Sequence, residues 1–314
     1  MKFFGRQDDK SLHETLLLAQ GEMERGNWKK ADQILTECSK NLDPSKADSV
    51  QFARVFSLGA VVAVQVDDIP RGVELARKSV AARERIGDKS EGLATDLNNL
   101  GTFLRFDKQL HEAVPILEKA VALHRKAKGD DDETSTRLRI NYAQSLIDVD
   151  EAERALHEIA EIFETCHRNR YVDIVVEALE MFGETLIYKN VPQHVETMCK
   201  NEMTFLANEV GTDSVALSIP CRILGRSYLL SENYDGAAEM LSISHGMRQE
   251  LLGPDHRMTG QSAESLALCH KIYGRLDTAR SLYEQALSVA EKHNDERAVK
   301  RLQDLLKNLE NETA

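Results

Sequence analysis

Large apolar residues recur along this chain at helical spacing, with polar residues filling the opposite faces, and the pattern predicts one amphipathic helix after another. Residues 97–123, LNNLGTFLRFDKQLHEAVPILEKAVAL, show it most plainly. Leu100 and Leu104 lie before a polar joint and Leu117 after it, while Gly101, Ala113 and Ala120 mark where two helices cross. Small residues let the backbones approach, and large ones fill the groove on either side. The same mark recurs at Ala19, Gly59, Gly101, Ala143, Gly183, Gly225 and Ala267, in steps of 40, 42, 42, 40, 42 and 42. A second column, Ala31, Gly72, Ala113, Ala155, Val195, Ala237 and Ala279, steps by 41, 41, 42, 40, 42 and 42.

Two columns with one period predict seven helix–turn–helix units, and the period overrides the two-domain expectation that 314 residues otherwise carry. The expected units span about 10–41, 48–87, 91–128, 133–168, 172–210, 214–252 and 258–293, after a tail at 1–9. The stretch 294–314 is amphipathic and strongly charged, which suits a helix that caps the last apolar face and frays at its end.

The joints add detail. In the second unit, DDIPRG is expected to hold one extra residue, accounting for the one-residue offset between the columns. The helix before it, FARVFSLGAVVAVQV, is the most apolar and needs cover on both faces, from protein or ligand. Pro115 is placed near its helix start, where a missing N–H costs little. The fifth unit puts Val195 and Glu202 where others carry small residues, so local looseness is expected there. Gly87-Asp88, Gly129-Asp130, Gly211-Thr212-Asp213 and Gly253-Pro254-Asp255 read as punctuation, a left-handed glycine followed by an aspartate that caps the next helix. Trp28, at the register of Leu110 and Leu276, reads as a core plug after the Gly26-Asn27 turn, and Pro44 closes the first unit.

Aromatic residues are only 5% of the chain and hydrophobic ones 42%, which suits helices packed through Ala, Leu, Val and Ile. Forty basic against 52 acidic residues give a net charge of −12, which disfavours nucleic acid as a partner. No apolar run approaches the roughly 18 residues of a membrane span, and the start MKFFGRQDDK lacks the apolar core of a secretory signal. A cytoplasmic protein without membrane insertion is expected, and the acceptor pattern Asn311-Glu312-Thr313 is discounted on that ground. Cys38, Cys166, Cys199, Cys221 and Cys269 are odd in number and far apart, and read as buried thiols in a reducing compartment rather than metal ligands.

Candidate chemistry is sparse. The chain has no G-x-S-x-G, H-E-x-x-H, C-x-x-C or G-x-G-x-x-G pattern. The adjacent pairs Cys166-His167 and Cys269-His270 point about 100° apart around a helix. No enzymatic activity, cofactor or metal site is expected.

The helix–turn–helix unit with these small-residue marks resembles the tetratricopeptide repeat. The segments EAVPILEKAVAL (112–123), ARSLYEQALSVAEK (279–292) and LLGPDHRMTG (251–260) are most similar to the kinesin light chain type, over roughly residues 10–293, and the 42-residue step exceeds the roughly 34 of the common form. The resemblance implies an all-α, right-handed α-solenoid of about seven hairpins plus a C-terminal capping helix. Its first helices then line a concave surface that holds a protein or peptide ligand. Carried over by register, the surface positions are Asn98, Thr102 and Arg105, then Arg137 and Gln144, then Glu177, Glu180 and Glu184. Arg222 and Arg226 follow, and then Gln261, Glu264 and Lys271. Asn99 and Asn141 occupy an adjacent position in consecutive repeats, where an amide both donates to and accepts from a peptide backbone.

Arg222 and Arg226 either pair with the glutamate stripe or receive an acidic or C-terminal carboxylate. Phe56, Ala60 and Leu16 stand at several positions where chaperone-binding relatives carry a carboxylate clamp, which disfavours chaperone docking. The long heptad region by which motor light chains join their heavy chain is not seen ahead of the repeats, so an isolated array is expected. The expected function is a scaffold that binds a peptide or extended protein segment in its groove. The alternative is a regulatory module switched by a signalling peptide or a partner helix; oligomeric state is left open.

Overall fold

The computed structural model describes residues 9–42, 49–189 and 191–313. Pro44, nearly all of the expected N-terminal tail and Ala314 lie outside them. Among the described residues there is no strand. The helices are α1 (Asp9–Glu24), α2 (Trp28–Lys40), α3 (Val50–Gln65), α4 (Ile69–Arg85), α5 (Glu91–Phe106), α6 (Leu110–Lys128), α7 (Glu133–Asp148) and α8 (Ala152–Asn169). They continue as α9 (Val172–Tyr188), α10 (Pro192–Val210), α11 (Ser218–Leu230), α12 (Tyr234–Leu252), α13 (Arg257–Ile272), α14 (Leu276–Lys292) and α15 (Glu296–Thr313), with a 3-10 turn at Val215–Leu217.

The chain divides into two compact units, Met1–Thr165 and Cys166–Ala314. In the first, α3 packs on α4, α4 on α5, α5 on α6 and α6 on α7. In the second, α9 packs on α10 and α11, and α11 to α15 each pack on the next. The fold is an all-α repeat solenoid built of helical hairpins. α15 closes the last hairpin by placing Leu302 and Leu309 in the core formed with Ala279, Tyr283 and Ala286.

One local device makes the hairpins. In the six hairpins whose turns are fully described, three residues separate the helices and the middle one has positive φ: Gly26 (73°), Asp67 (68°), Lys108 (62°), Asp150 (64°), Glu232 (57°) and Gly274 (70°). The left-handed residue lets the next N–H turn back to a carbonyl five residues earlier, as in Gln109 N to Leu104 O at 2.8 Å and Arg275 N to His270 O at 2.9 Å. These bonds satisfy carbonyls at the helix end that would otherwise lack partners.

The turns correct the register read from the sequence. The α3–α4 joint has the same three residues, Val66 to Asp68, as the others and holds no extra one. Counted from its turn, the equivalent of Gly101 is Ala60, which is 1% exposed, and not Gly59. The helices confirm it: a Cβ on Gly72 would lie 3.3 Å from the Ala60 carbonyl oxygen, whereas one on Gly59 meets only Leu75 Cδ1, at 3.4 Å. At the equivalent crossing of α5 and α6, a Cβ on Gly101 would fall 2.4 Å from Leu117 Cγ. With Ala60 in place the first column steps by 41, 41, 42, 40, 42 and 42, identical to the second.

Three further expectations are revised. Gly129, Gly211 and Gly253 end α6, α10 and α12 with ψ of −170°, 167° and 166°, an extended positive-φ conformation rather than a left-handed helical one. That region belongs to glycine almost alone. The aspartate after the glycine is not the cap: α5 and α7 are capped by Ser90 and Asp132, the 3-10 turn by Ser214 and α13 by His256. Pro115 is the sixth residue of α6, past the first turn, so the carbonyl of His111 loses its usual donor while the helix continues to Lys128. The apolar α3 is covered by protein, for every residue from Gln51 to Val64 is buried or half-buried, and Trp28 packs half-buried against the core of α1 to α3. At the irregular fifth hairpin, Val195 and Glu202 are both buried, and Glu202 accepts from His167 Nε2 at 2.6 Å.

The crossing geometry gives a paired expectation. Gly101→Leu lowers stability by about 2–4 kcal/mol through overpacking against Leu117, while Gly59→Ala raises it by up to about 1 kcal/mol by replacing a helical glycine. Urea unfolding of the two variants ranks them, and the reverse order would return the crossing to Gly59.

Candidate functional site

The first helices of the hairpins carry the side chains assigned to the groove, and in the first unit most of these are engaged with neighbouring side chains of α5 and α7. Asn141 Nδ2 on α7 donates to Asn98 Oδ1 on α5 at 2.9 Å. Arg105 Nε donates to Asp148 Oδ2 at 2.7 Å, and Gln144 Nε2 reaches Asp148 Oδ1 at 3.3 Å. Arg137 pairs with Glu133, one turn earlier, at 3.0 Å. Gln144 is 4% exposed, so it is a buried tie and not the exposed position expected of it. Thr102 Oγ1 is buried without a hydrogen-bond partner, and Asn99 stands half-buried beside Asn98. Asn98–Asn141 and Arg105–Asp148 join α5 to α7, while Arg137–Glu133 and Gln144–Asp148 lie within α7.

The second unit has a cavity. A space of about 630 Å³ is bounded by Glu180 and Glu184 of α9, Arg222 and Arg226 of α11, and Gln261, Glu264, Ser265 and Leu268 of α13, with Tyr283 beneath and Arg301 and Leu305 of α15 at one end. Glu184 takes one hydrogen bond from Arg222 Nη1 at 2.5 Å and another from Arg226 Nη1. The pairing of the arginines with the glutamate stripe is thus formed, and it passes through Glu184. Burial pushes the Glu184 carboxyl up, but the two guanidinium charges outweigh burial and hold it below its ordinary value. Arg222 is 7% exposed, and its Nε is buried without a partner. Arg301 forms a two-bond pair with Glu264, at 2.9 Å in both contacts. Glu177 and Lys271 are not part of the cavity wall.

A third guanidinium lies near the first two. Arg248 of α12 is fully buried, donating from Nε to Ser218 Oγ at 2.8 Å and from Nη1 to the Met258 carbonyl at 2.9 Å, while Nη2 has no partner. Burial, and then the charge of Arg222, pull its pKa down to about 10. Its register equivalent in the first unit is Arg83, which pairs with Asp96 at 2.6 Å and Asp88 at 2.7 Å. Where α5 carries Asp96, α13 carries Ser262. The second unit therefore gathers three guanidinium groups, two of them served by a single carboxylate.

The cysteines stay out of this chemistry. All five are free and buried. Burial raises the Cys199 thiol far above its ordinary value and the Cys221 thiol to about 11, so both are protonated at neutral pH. No group of three or more potential metal ligands occurs among the described residues, and no helix there is long and apolar enough to cross a membrane.

The sequence reading reached Glu180, Glu184, Arg222, Arg226, Gln261 and Glu264. It missed Ser265, Leu268 and Tyr283, which follow the ordinary helical period, and Arg301 and Leu305, which come from the capping helix. That helix has no counterpart in the repeats, so no register points to its inner face.

Models of the tetratricopeptide repeat match residues 216–292 and 93–133. No curated protein matches the chain. Among solved structures, the chain is similar to a signal transduction ATPase with numerous domains from Pyrococcus horikoshii, described as having a tetratricopeptide repeat sensor. The two are 12% identical with a TM-score of 0.65, over 94% of this chain and 44% of that one. It is similar to a Rap protein complexed with competence and sporulation factor, 12% identical with a TM-score of 0.55 over 98% and 88% of the two chains. A putative kinesin light chain from Podospora anserina is 16% identical with a TM-score of 0.45, over 77% of this chain and 96% of that one. At these identities the likeness is one of fold.

Glu184, half-buried, and Glu202, buried, are expected to titrate on opposite sides of the ordinary 4.5. Glu184, depressed by the arginines, stabilises the fold above the carboxylate range, and that contribution is lost as pH falls through its folded-state value. Burial raises Glu202, and His167 offsets this only in part. Its contribution is present in acid and lost as pH rises through its folded-state value. Carbon-13 NMR titration of the side-chain carboxyls checks both. Arg222→Gln with Arg226→Gln moves the Glu184 midpoint upward and leaves Glu202 in place.

Proposed function

Because this chain is a tetratricopeptide repeat protein whose second unit holds an open, charge-lined cavity between consecutive first helices, we propose that it is a scaffold binding an extended protein segment there. The observation that carries the reading is the cavity itself: three successive first helices, α9, α11 and α13, and the capping helix all face one space of about 630 Å³. Its wall offers donors in excess of their partners, since Arg222 and Arg226 share Glu184 and each guanidinium has five N–H groups. A carboxylate of the bound segment takes the remaining donors, through the bidentate geometry that guanidinium and carboxylate favour. Gln261, exposed at the wall, both donates to and accepts from a peptide backbone. On the first unit, Asn98, Asn99, Arg105, Arg137 and Asn141 form the corresponding surface, with Thr102 and Gln144 buried behind it, and Asn99 is the group we assign to ligand contact there. This is binding without catalysis, in the cytoplasm, and it uses no cofactor or metal.

The second reading is a regulatory module switched by a signalling peptide. The likeness to the Rap protein complexed with competence and sporulation factor, over 98% of this chain, favours it.

Both readings need a bound segment, and a library of random 12-residue peptides displayed on phage supplies the probe. Panning on the full chain is expected to select peptides with Asp or Glu. Arg222→Gln with Arg226→Gln is expected to weaken their binding roughly ten-fold or more, in line with the loss of charge-assisted hydrogen bonds. Unchanged affinity in that variant removes the Arg assignment. Small-angle scattering of the chain with and without a selected peptide then separates a scaffold, whose profile stays the same, from a switch, whose profile changes.

A further inference from the structure

Three exposed apolar side chains occupy one register of the second unit. Tyr188, Leu230 and Ile272 are the last residues of α9, α11 and α13, follow one another at steps of 42, and are 86%, 46% and 44% exposed. In the first unit the same position is Glu24, Gln65 and Asp148 at the ends of α1, α3 and α7, and only α5 ends on an exposed apolar residue, Phe106. Single exposed apolar residues are ordinary, but this row is complete only in the unit that holds the cavity bounded by Arg222 and Arg226. Each member also lies one helical turn beyond a cavity-wall residue: Tyr188 beyond Glu184, Leu230 beyond Arg226, and Ile272 beyond Leu268. Residues four apart share a helix face with Cβ atoms about 5–6 Å apart, so the row borders the cavity. Leu268, itself exposed, joins the two.

We propose that the groove of the second unit continues into an apolar rail formed by Tyr188, Leu230 and Ile272, and that its occupant is an extended peptide in a polyproline-II-like conformation with an apolar side chain at every third residue. The proposal rests on the groove reading above and adds the conformation and spacing of the ligand. α9 lies against α11 and α11 touches α13 more sparsely, so successive rungs sit on neighbouring first helices, for which an axial separation of about 8–10 Å is typical. A polyproline-II chain has three residues per turn and rises about 3.1 Å per residue, so side chains on one face recur about every 9 Å, one per rung. A β-strand repeats its face at about 6.8 Å and falls out of step by the second rung. The polyproline-II backbone makes no internal hydrogen bonds, which leaves its N–H and C=O groups for Gln261 and the charged wall. A second copy of this chain fits less well. Three side chains do not supply the roughly 1,200 Å² that stable protein pairs bury, and copies with a net charge of −12 repel.

The same phage library tests the inference. Peptides selected on the full chain are expected to share apolar residues at positions i, i+3 and i+6. A synthetic consensus peptide is expected to bind Tyr188→Ser/Leu230→Ser/Ile272→Ser at least ten-fold more weakly, with the circular dichroism of the variant unchanged, since all three sites are exposed. A consensus spaced by seven overturns the proposal in favour of a helical ligand. Affinity unchanged in the triple variant but lost in Arg222→Gln/Arg226→Gln overturns the rail and leaves the groove standing. If the unmodified chain selects no peptide, both fall. If the triple variant turns a wild-type dimer into a monomer by light scattering, the occupant is a second copy and the proposal is overturned.

Discussion

The close approach of two helices within each hairpin is the constraint on which the rest of the structure depends. At Gly101 the side chain of Leu117 occupies the space a Cβ would need, and at Ala60 and Gly72 the backbones themselves come into contact range. Such proximity is available only to small residues, and it fixes how far each second helix sits from its first. The three-residue turns with a left-handed middle residue deliver the second helix to that position. Among the described residues, non-glycine residues hold this conformation in four hairpin turns, at Asp67, Lys108, Asp150 and Glu232, and again at Asn294 before α15. The packing on either side compensates the backbone strain there. Once the crossing is set, the first helices line up with one another, and their outward faces become a surface.

Charge is treated differently on the two units. In the first, Arg83 is buried with two carboxylates, Asp88 and Asp96, and Ser57 and Ser79 complete the shell of Asp96. Such a site is closed, because every charge has a partner of opposite sign within hydrogen-bond distance. In the second, Arg248 occupies the same register with a hydroxyl and a carbonyl as its partners, and Arg222 and Arg226 divide Glu184 between them. Buried charge without a full complement is costly. In the second unit Arg222 and Arg226 stand beside an open cavity. Two units built on one repeat thus differ in how their buried arginines are partnered.

The capping helix has two roles in the structure. Leu302 and Leu309 cover the apolar face that the last hairpin would otherwise expose. On the same helix, Arg301 and Leu305 form an end wall of the cavity, and the Arg301 to Glu264 pair holds that wall to α13. The element that covers the last apolar face thereby also bounds the cavity.

The helical class, the 42-residue step, the small residues at the crossings and the burial of the cysteines are legible in the amino-acid order alone. These follow from periodicity and side-chain size, which are local properties. That order also singled out the glutamates of α9 and the arginine pair of α11. It misplaced Gly59 by one residue, because two small residues stand side by side at 59 and 60 and only the turn shows which one faces α4. The fate of the polar side chains was decided by tertiary structure. Whether Asn141 meets a ligand or Asn98, and whether Arg222 is free or shares Glu184 with Arg226, depends on the offset between helices about 40 residues apart. That offset is set by packing, to within an ångström or two, and hydrogen bonds are made or lost over the same distance. Periodicity specifies which face a residue occupies, while its partner across the interface depends on how the faces meet.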